Sequence, residues 1–257
     1  MIPKITFVVP VADEPIYEQC FKRSPLLAGN GDFEVFCQRG YRSAGVAFNV
    51  AMDKAANDLI VFCHQDILLP ASWARTFGSR LEELERVAPR WGVVGCAGRT
   101  CQEQVAAHLF RHDRELRGEA ALPAKVRTLD ESLIAFRRSS GLRFDEALAG
   151  FNFYAVDICL EAESRGLDNY VVDAPCFHQA KNRTSFAAGF FKTEKWILNK
   201  WRSRLPVQTL SGRLVGGRYL AYKRMRDQFD ALRAACGHKK EPWWTDLPKI
   251  SPEEHLG

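Results

Sequence analysis

The apolar run LIVFC at 59–63 stops at His64-Gln65-Asp66. A strand this apolar ordinarily closes on a turn residue. Here it closes on an imidazole and a carboxylate two positions apart, which in extended geometry point to one side. That is half of a divalent-cation site facing an anionic substrate. The same spacing also suits Asp66 as a cap on the next segment and His64 as a hydrogen-bonded core residue. His178 ends a second apolar run, NYVVDAPCFHQ, shortly before Lys181 and Arg183. It suits a phosphate-facing position or a structural strand end. Asp157 opens the helix-like ICLEAESRG after an aromatic loop, where a carboxylate can take a proton from a hydroxyl or cap the first turn. Asp145 and Glu146 stand next in line, as hydroxyl binders or as the base itself.

The elements that must position these groups follow from periodicity. KITFVVPV, FEVFCQ and DLIVFCHQDILLP read as strands, the last continuous up to its His-Gln-Asp end. IYEQCFKRSPLL and GVAFNVAMDKAA between them have helical spacing. Three β-α units within 70 residues predict an α/β fold with a mostly parallel sheet covered by helices on both faces. The helix SWARTFGSRLEELERVAP and the strand WGVVGCAG come next, with Trp73 expected in the core. Residues 100–124 are polar and aperiodic, a loop or a small antiparallel excursion, and His108 and His112 within them read as surface. KVRTLDESLIAFRR reads as a strand pair whose Asp130-Glu131 is a solvated turn. YAVDICLEAESRG is a helix closed by Gly166, and NYVVDAPCFHQ is the last strand. Residues 185 to about 235 look helical, broken at Pro206, and 236–257 look like a tail with Trp243 and Trp244 as an anchor.

In open α/β sheets ligands bind outside the carboxyl ends of the parallel strands. Pro10, Ala12, Asp13 and Glu14 stand there after the first strand, Gln38 through Arg42 and Ser43 after the second, and His64 to Asp66 after the third. Charge is divided along the chain. Residues 1–178 carry 20 basic and 24 acidic side chains, and residues 179–240 carry 15 and 3. This predicts a folded body over 1–184 and a basic helical extension and tail over 185–257. Basic residues interleaved with Phe190, Phe191, Trp196, Trp201 and Tyr219 suit an interfacial helix on anionic lipid, a nucleic-acid surface, or a solvated face whose aromatics pack on the body. No apolar run reaches the roughly 18–20 residues of a bilayer span. MIPKITFVVPVADE reads as a strand and not a signal peptide. The eight cysteines contain no C-x-x-C pair and read as reduced thiols of a cytoplasmic protein.

SAGVAFNVAMDKAANDLIVFCHQDILLPASW resembles the core of glycosyltransferase family 2, in which a helix with an asparagine, here Asn49, precedes a strand ending in an Asp-x-Asp motif, here His64-Gln65-Asp66. ITFVVPVADEP is similar to the first strand, whose loop holds the nucleotide. RFDEALAGFNFYAVDICLEAESRG resembles the acceptor-side segment with its general base, and YVVDAPCFHQ the strand whose histidine lies near the metal. The pattern looks closest to bacterial capsule and surface-polysaccharide enzymes, and it covers roughly residues 4–180. The resemblance implies a GT-A, Rossmann-like domain and an inverting, Mn2+- or Mg2+-dependent transfer from a nucleoside-diphosphate sugar to a saccharide or lipid-linked acceptor. In that reading Asp66 and His178 hold the metal and Asp157 is the base. The setting implied is the inner face of the cytoplasmic membrane, with the lipid reading of the basic segment preferred and no nucleic acid expected. Two departures stand out: Cys37-Gln38-Arg39 replaces the acidic pair after strand two, and Val156-Asp157 replaces the Glu-Asp base pair. They motivate the alternative of a catalytically silent nucleotide-sugar or polysaccharide-binding subunit.

Overall fold

The structure, a computed structural model, describes residues 2–29, 31, 33–179, 190–216 and 255. The expected basic residues and Tyr219 past 216, and the anchor at Trp243 and Trp244, lie outside them. The first elements are β1 (Ile5–Val11), α1 (Glu14–Gln19), α2 (Pro25–Ala28), β2 (Glu34–Arg39), α3 (Ala44–Lys54), β3 (Leu59–Cys63), β4 (Ile67–Leu68) and α4 (Trp73–Val87). The middle of the chain supplies β5 (Trp91–Gly95), β6 (Ala97–Arg99), β7 (Val105–Arg111), β8 (Arg114–Arg117), β9 (Ala124–Val126), β10 (Thr128–Leu129) and β11 (Leu133–Arg137). There follow α5 (Tyr154–Ser164), β12 (Asp168–Val171), β13 (Phe177–His178), α6 (Phe190–Lys200), β14 (Val207–Thr209) and β15 (Gly212–Leu214).

The main sheet has the order β2-β1-β3-β11-β5-β12-β9. Five of its strands run one way, and β11 and β9 run against them. Side chains on β1 alternate between two cores. Ile5, Phe7, Val9 and Val11 pack with Trp73, Phe77 and Leu81 of α4, while Val8 packs with Ala47, Phe48 and Ala51 of α3 and Ile158 of α5. The expected mostly parallel sheet with helices on both faces is therefore what forms, and Trp73 is in the core, 1% exposed.

A second sheet, β10-β6-β7-β13-β4 with β8 on β7, was not visible in the periodicity. It forms because two expected strands break. DLIVFCHQDILLP splits at His64–Asp66, where Ile67 N–H donates to His64 C=O (3.3 Å), and β4 leaves the main sheet. NYVVDAPCFHQ splits around Pro175, which lacks an N–H to donate to a ladder, and β13 pairs with β4. The 100–124 stretch is the antiparallel excursion β7–β8. The expected pair in KVRTLDESLIAFRR does not form; its strands β9, β10 and β11 go to separate partners in the two sheets. IYEQCFKRSPLL is likewise not one helix: α1 ends at Gln19 and α2 restarts at Pro25.

Helix α5 ends in a Schellman motif: Gly166 at φ +72° gives its N–H to Glu163 C=O (3.1 Å), and Leu167 N–H goes to Ala162 C=O (3.0 Å). At its other end the N-cap is Phe153 at φ +65°, so Asp157 lies in the first turn without capping it. The extension is helical only through α6. The expected helix fails at 207–214, where β-branched Val207 and Thr209 follow Pro206 and form the hairpin β14–β15. Ile197, Leu198 and Trp201 bury against Phe153, Val156 and Leu160, so 190–201 packs on the body as the third reading of that segment had it.

Two contacts hold the segment before α5. Asn49, 3% exposed, donates through Nδ2 to Phe144 C=O and Glu146 Oε1 (both 2.9 Å) and accepts from Phe144 N–H (3.1 Å). A Cβ on Gly45 would lie 2.4 Å from Asp145 C=O, so only glycine lets α3 approach this closely. From α6, Lys200 Nζ reaches Asp145 Oδ2 (2.8 Å) and Asp157 Oδ1 (2.9 Å). We expect Asn49→Ala, which strands the buried Phe144 amide groups, to lower the unfolding free energy by about 2–4 kcal/mol in urea titrations. Lys200→Met, leaving Asp157 buried and unpaired, should cost about 3 kcal/mol by the same measurement.

Candidate active site at the carboxyl edge of the sheet

Strands β1, β2 and β3 run in register, so their carboxyl ends open on one edge. The turn after β3 lies between the loop after β1 and the β4–β13 pair. Gln65 Oε1 accepts from Ala12 N–H (2.8 Å) and Asp13 N–H (3.0 Å), and so holds the first loop. His178 pairs with Ile67, and Gln179 N–H donates to Asp66 C=O (2.8 Å).

The result is a cluster of His64 Nδ1, one Asp66 oxygen and His178 Nε2, all within 4.8 Å of one another. Asp66 Oδ1 lies 3.4 Å from His178 Nε2 and 3.8 Å from His64 Nδ1. It is shut off from solvent and makes no hydrogen bond. A buried carboxylate oxygen without a donor is costly, and a cation between these atoms would complete it. The residues present therefore fit a divalent cation, with two imidazoles and one carboxylate as its protein donors. Burial works to raise the Asp66 carboxyl, but His178 and His64 outweigh it and hold it below the ordinary range. The sequence reading had His64 and Asp66 converge across an extended strand; a turn brings them together instead.

Other expected donor-site residues have local partners. Asp13 Oδ1 caps α1 through Ile16 N–H (3.2 Å). Glu14 pairs with Arg39 (2.6 and 2.9 Å), whose guanidinium lies over Tyr17. Gln38 stands opposite Pro10 at the end of the β1–β2 ladder. Arg42 is exposed, and Ser43 precedes α3 and bridges to Gly150. Asn49 and Gln65 fasten the scaffold, on the hydrogen bonds given above.

The acceptor-side carboxylates are also engaged. Asp157, 3% exposed, takes Trp201 Nε1–H on Oδ1 (2.7 Å) and Lys200 on both oxygens. Burial raises its carboxyl despite Lys200. For Asp145 burial is outweighed by Lys200 and the Ala147 N–H, and its carboxyl is lowered. Sequence reasoning missed Glu131, expected in a solvated turn. It is half-buried, and burial together with neighbouring Asp130 pushes its carboxyl up to about 8. The signal was present: an acidic pair flanked directly by the apolar runs TL and LIAF. His108, expected at the surface, is 6% exposed between Asp173 and Glu115.

The chain matches the glycosyltransferase-like family over residues 6–201. It is 30% identical over 176 residues to the protein of ORF 6 in the ATP synthase subunits region of Fuscovulum blasticum, covering 63% of this chain and 69% of that one. Among solved structures, S. aureus TarS superposes with a TM-score of 0.51 at 12% identity over 77% of this chain, which spans 39% of TarS. The mannosyltransferase PcManGT of Pyrobaculum calidifontis, solved with GDP-Man and Mn2+, gives 0.47 at 15% identity, with 78% and 61% covered. The likeness to TarS concerns the fold, a GT-A-type α/β arrangement. Since the family match takes in both strand breaks, the cation cluster and α5, the chain belongs to the glycosyltransferase-like family.

Proposed function

We propose that the chain transfers a sugar from a nucleoside diphosphate to a hydroxyl of a saccharide or lipid-linked saccharide, with inversion, in surface-polysaccharide synthesis. The observation that carries the reading is the cluster of His64, Asp66 and His178, with its orphaned carboxylate oxygen, at the carboxyl edge of a glycosyltransferase-family sheet. A cation held there supplies Lewis-acid charge compensation for a diphosphate leaving group. Two imidazoles favour Mn2+ over Mg2+, which prefers an oxygen shell.

The chain's own residues do the rest. Gln65 keeps the loop after β1 against the cluster, so a nucleotide in that loop and its diphosphate are placed together. Lys200 joins Asp145 and Asp157 into one charged group that positions the acceptor side. On α6, Phe191, Lys192 and Lys195 are exposed, and they would form the described part of a peripheral contact with anionic membrane at the cytoplasmic face. Among the described residues, no helix is long and apolar enough to cross a membrane. The silent-subunit alternative keeps one observation in its favour, the engagement of Asp157 and Asp145 by Lys200.

Thermal shift with a panel of nucleoside-diphosphate sugars tests the reading. In the presence of Mn2+ one donor should stabilise the chain by about 2.7 kcal/mol at 100 times its dissociation constant. Asp66→Asn and His178→Ala should each abolish the Mn2+-dependent part of that shift. A shift that survives both substitutions, or no shift with any donor, sinks the proposal.

A further inference from the structure

Glu131 is not used by the chemistry described so far, yet its surroundings are those of a working carboxylate. It stands between β10 and β11, at the same strand end as the cation cluster: His64 N–H donates to the C=O of the next residue, Ser132 (3.0 Å). Its carboxylate accepts the N–H groups of Phe153 and Tyr154, where α5 begins. These are donors that the first turn of a helix cannot satisfy by itself. Tyr154 Oη–H bonds back to Glu131 C=O (2.6 Å), which fixes the backbone. Capping uses only part of the group. Oε1 has no hydrogen-bond partner and is shielded from solvent.

Beside it is a cavity of about 80 Å3, lined by Glu131, Asp130, Asn152, Phe153 and the β14–β15 turn at Thr209 and Ser211. The volume admits a hydroxymethyl arm or several waters, not a whole sugar ring. The lining, two carboxylates, an amide, hydroxyls and an aromatic face, suits a saccharide hydroxyl. The turn is fastened by Thr128 Oγ1–H to Gln208 C=O (2.7 Å) and by Arg127 to the carbonyls of Arg204 and Pro206.

We propose that Glu131, rather than Asp157, is the general base, taking the proton of an acceptor hydroxyl that enters this cavity. The inference rests on the glycosyltransferase reading above. In the step, the acceptor oxygen forms its bond to the anomeric carbon and its proton passes to Glu131 Oε1. The bond from that carbon to the diphosphate oxygen breaks, and the electron pair leaves with the nucleoside diphosphate. Asp157 cannot serve equally, because Lys200 and Trp201 occupy its oxygens. A carboxyl that titrates near 8 is well matched to proton abstraction close to neutral pH. Asp130 is the charge beside it. The other titratable groups on surrounding elements are Tyr154 and Asp157 on α5, Lys200 on α6, which is held by Asp157 and Asp145, and His64 and Asp66 at the strand end.

The test measures nucleoside-diphosphate release from the donor that gives the thermal shift, with Mn2+ and water as acceptor, across the pH range, beside the thermal shift itself. Glu131→Gln should keep the donor shift and lose release on the order of 100-fold or more. The residual rate should lack the fall that wild type shows as pH drops below the carboxyl's range. Glu131→Asp should recover part of the rate with that fall restored. Release by Glu131→Gln within about threefold of wild type, or loss of the pH limb in Asp157→Asn and not in Glu131→Gln, overturns the base assignment while the enzyme reading stands. A wild type that binds a donor and releases nothing also overturns it and selects the silent subunit. A wild type that binds no donor removes both readings.

Discussion

The short antiparallel pairing of Ile67–Leu68 with Phe177–His178 is the contact on which the site depends. Each partner continues a strand of the main sheet that has turned out of it, one through the turn at His64–Asp66 and the other around Pro175. Their meeting places His178 against Asp66, more than 100 positions away in the chain. The β4–β13 ladder is only two residues long, so its hold comes from its setting. Phe177 is fully buried and stacks on Phe110 of β7, with ring centroids 4.4 Å apart. The second sheet thus acts as a support that aims three donor atoms at one point.

The carboxyl edge is a balance of unmatched and matched charge. Asp66 keeps one buried oxygen without a partner, and so does Glu131. Asp157, Asp145 and Glu14 are each answered by a cation within about hydrogen-bond distance. Buried carboxylates that lack partners destabilise a fold, and groups with perturbed surroundings gather where chemistry is done. The two orphaned oxygens lie toward one strand end, while the answered carboxylates stabilise the helices around it. Lys200 connects the two parts of the chain: it reaches the body from a segment whose composition alone suggests an appendage.

Much of this was legible in the residues. LIVFC ending in His-Gln-Asp located the cation site, and β1, α3, α4 and α5 follow the apolar periodicities. Gly166 closes α5 as its position suggested. Less legible were roles that depend on a partner far along the chain. Asn49 and Gln65 look like ligand-binding amides, and each instead fastens a neighbouring loop. Asp130-Glu131 looks like a solvated turn because two adjacent acids rarely enter a core; the N-terminus of α5 receives Glu131 nonetheless. The basic stretch from 185 looked uniformly helical because charge count does not register the change of period at Pro206.

The sequence by itself determined the class of fold, the layering of the main sheet and the residue types of the cation site, because strand and helix periods and the end of an apolar run are local properties. Tertiary structure decided which carboxylates are engaged and which are left open, and that α6 belongs to the body. It also decided that the site is completed by a second sheet. These depend on which distant groups meet, and no period or spacing encodes that: the pairing energy of a buried carboxylate is set by the donor that reaches it across the fold, not by its neighbours in the chain.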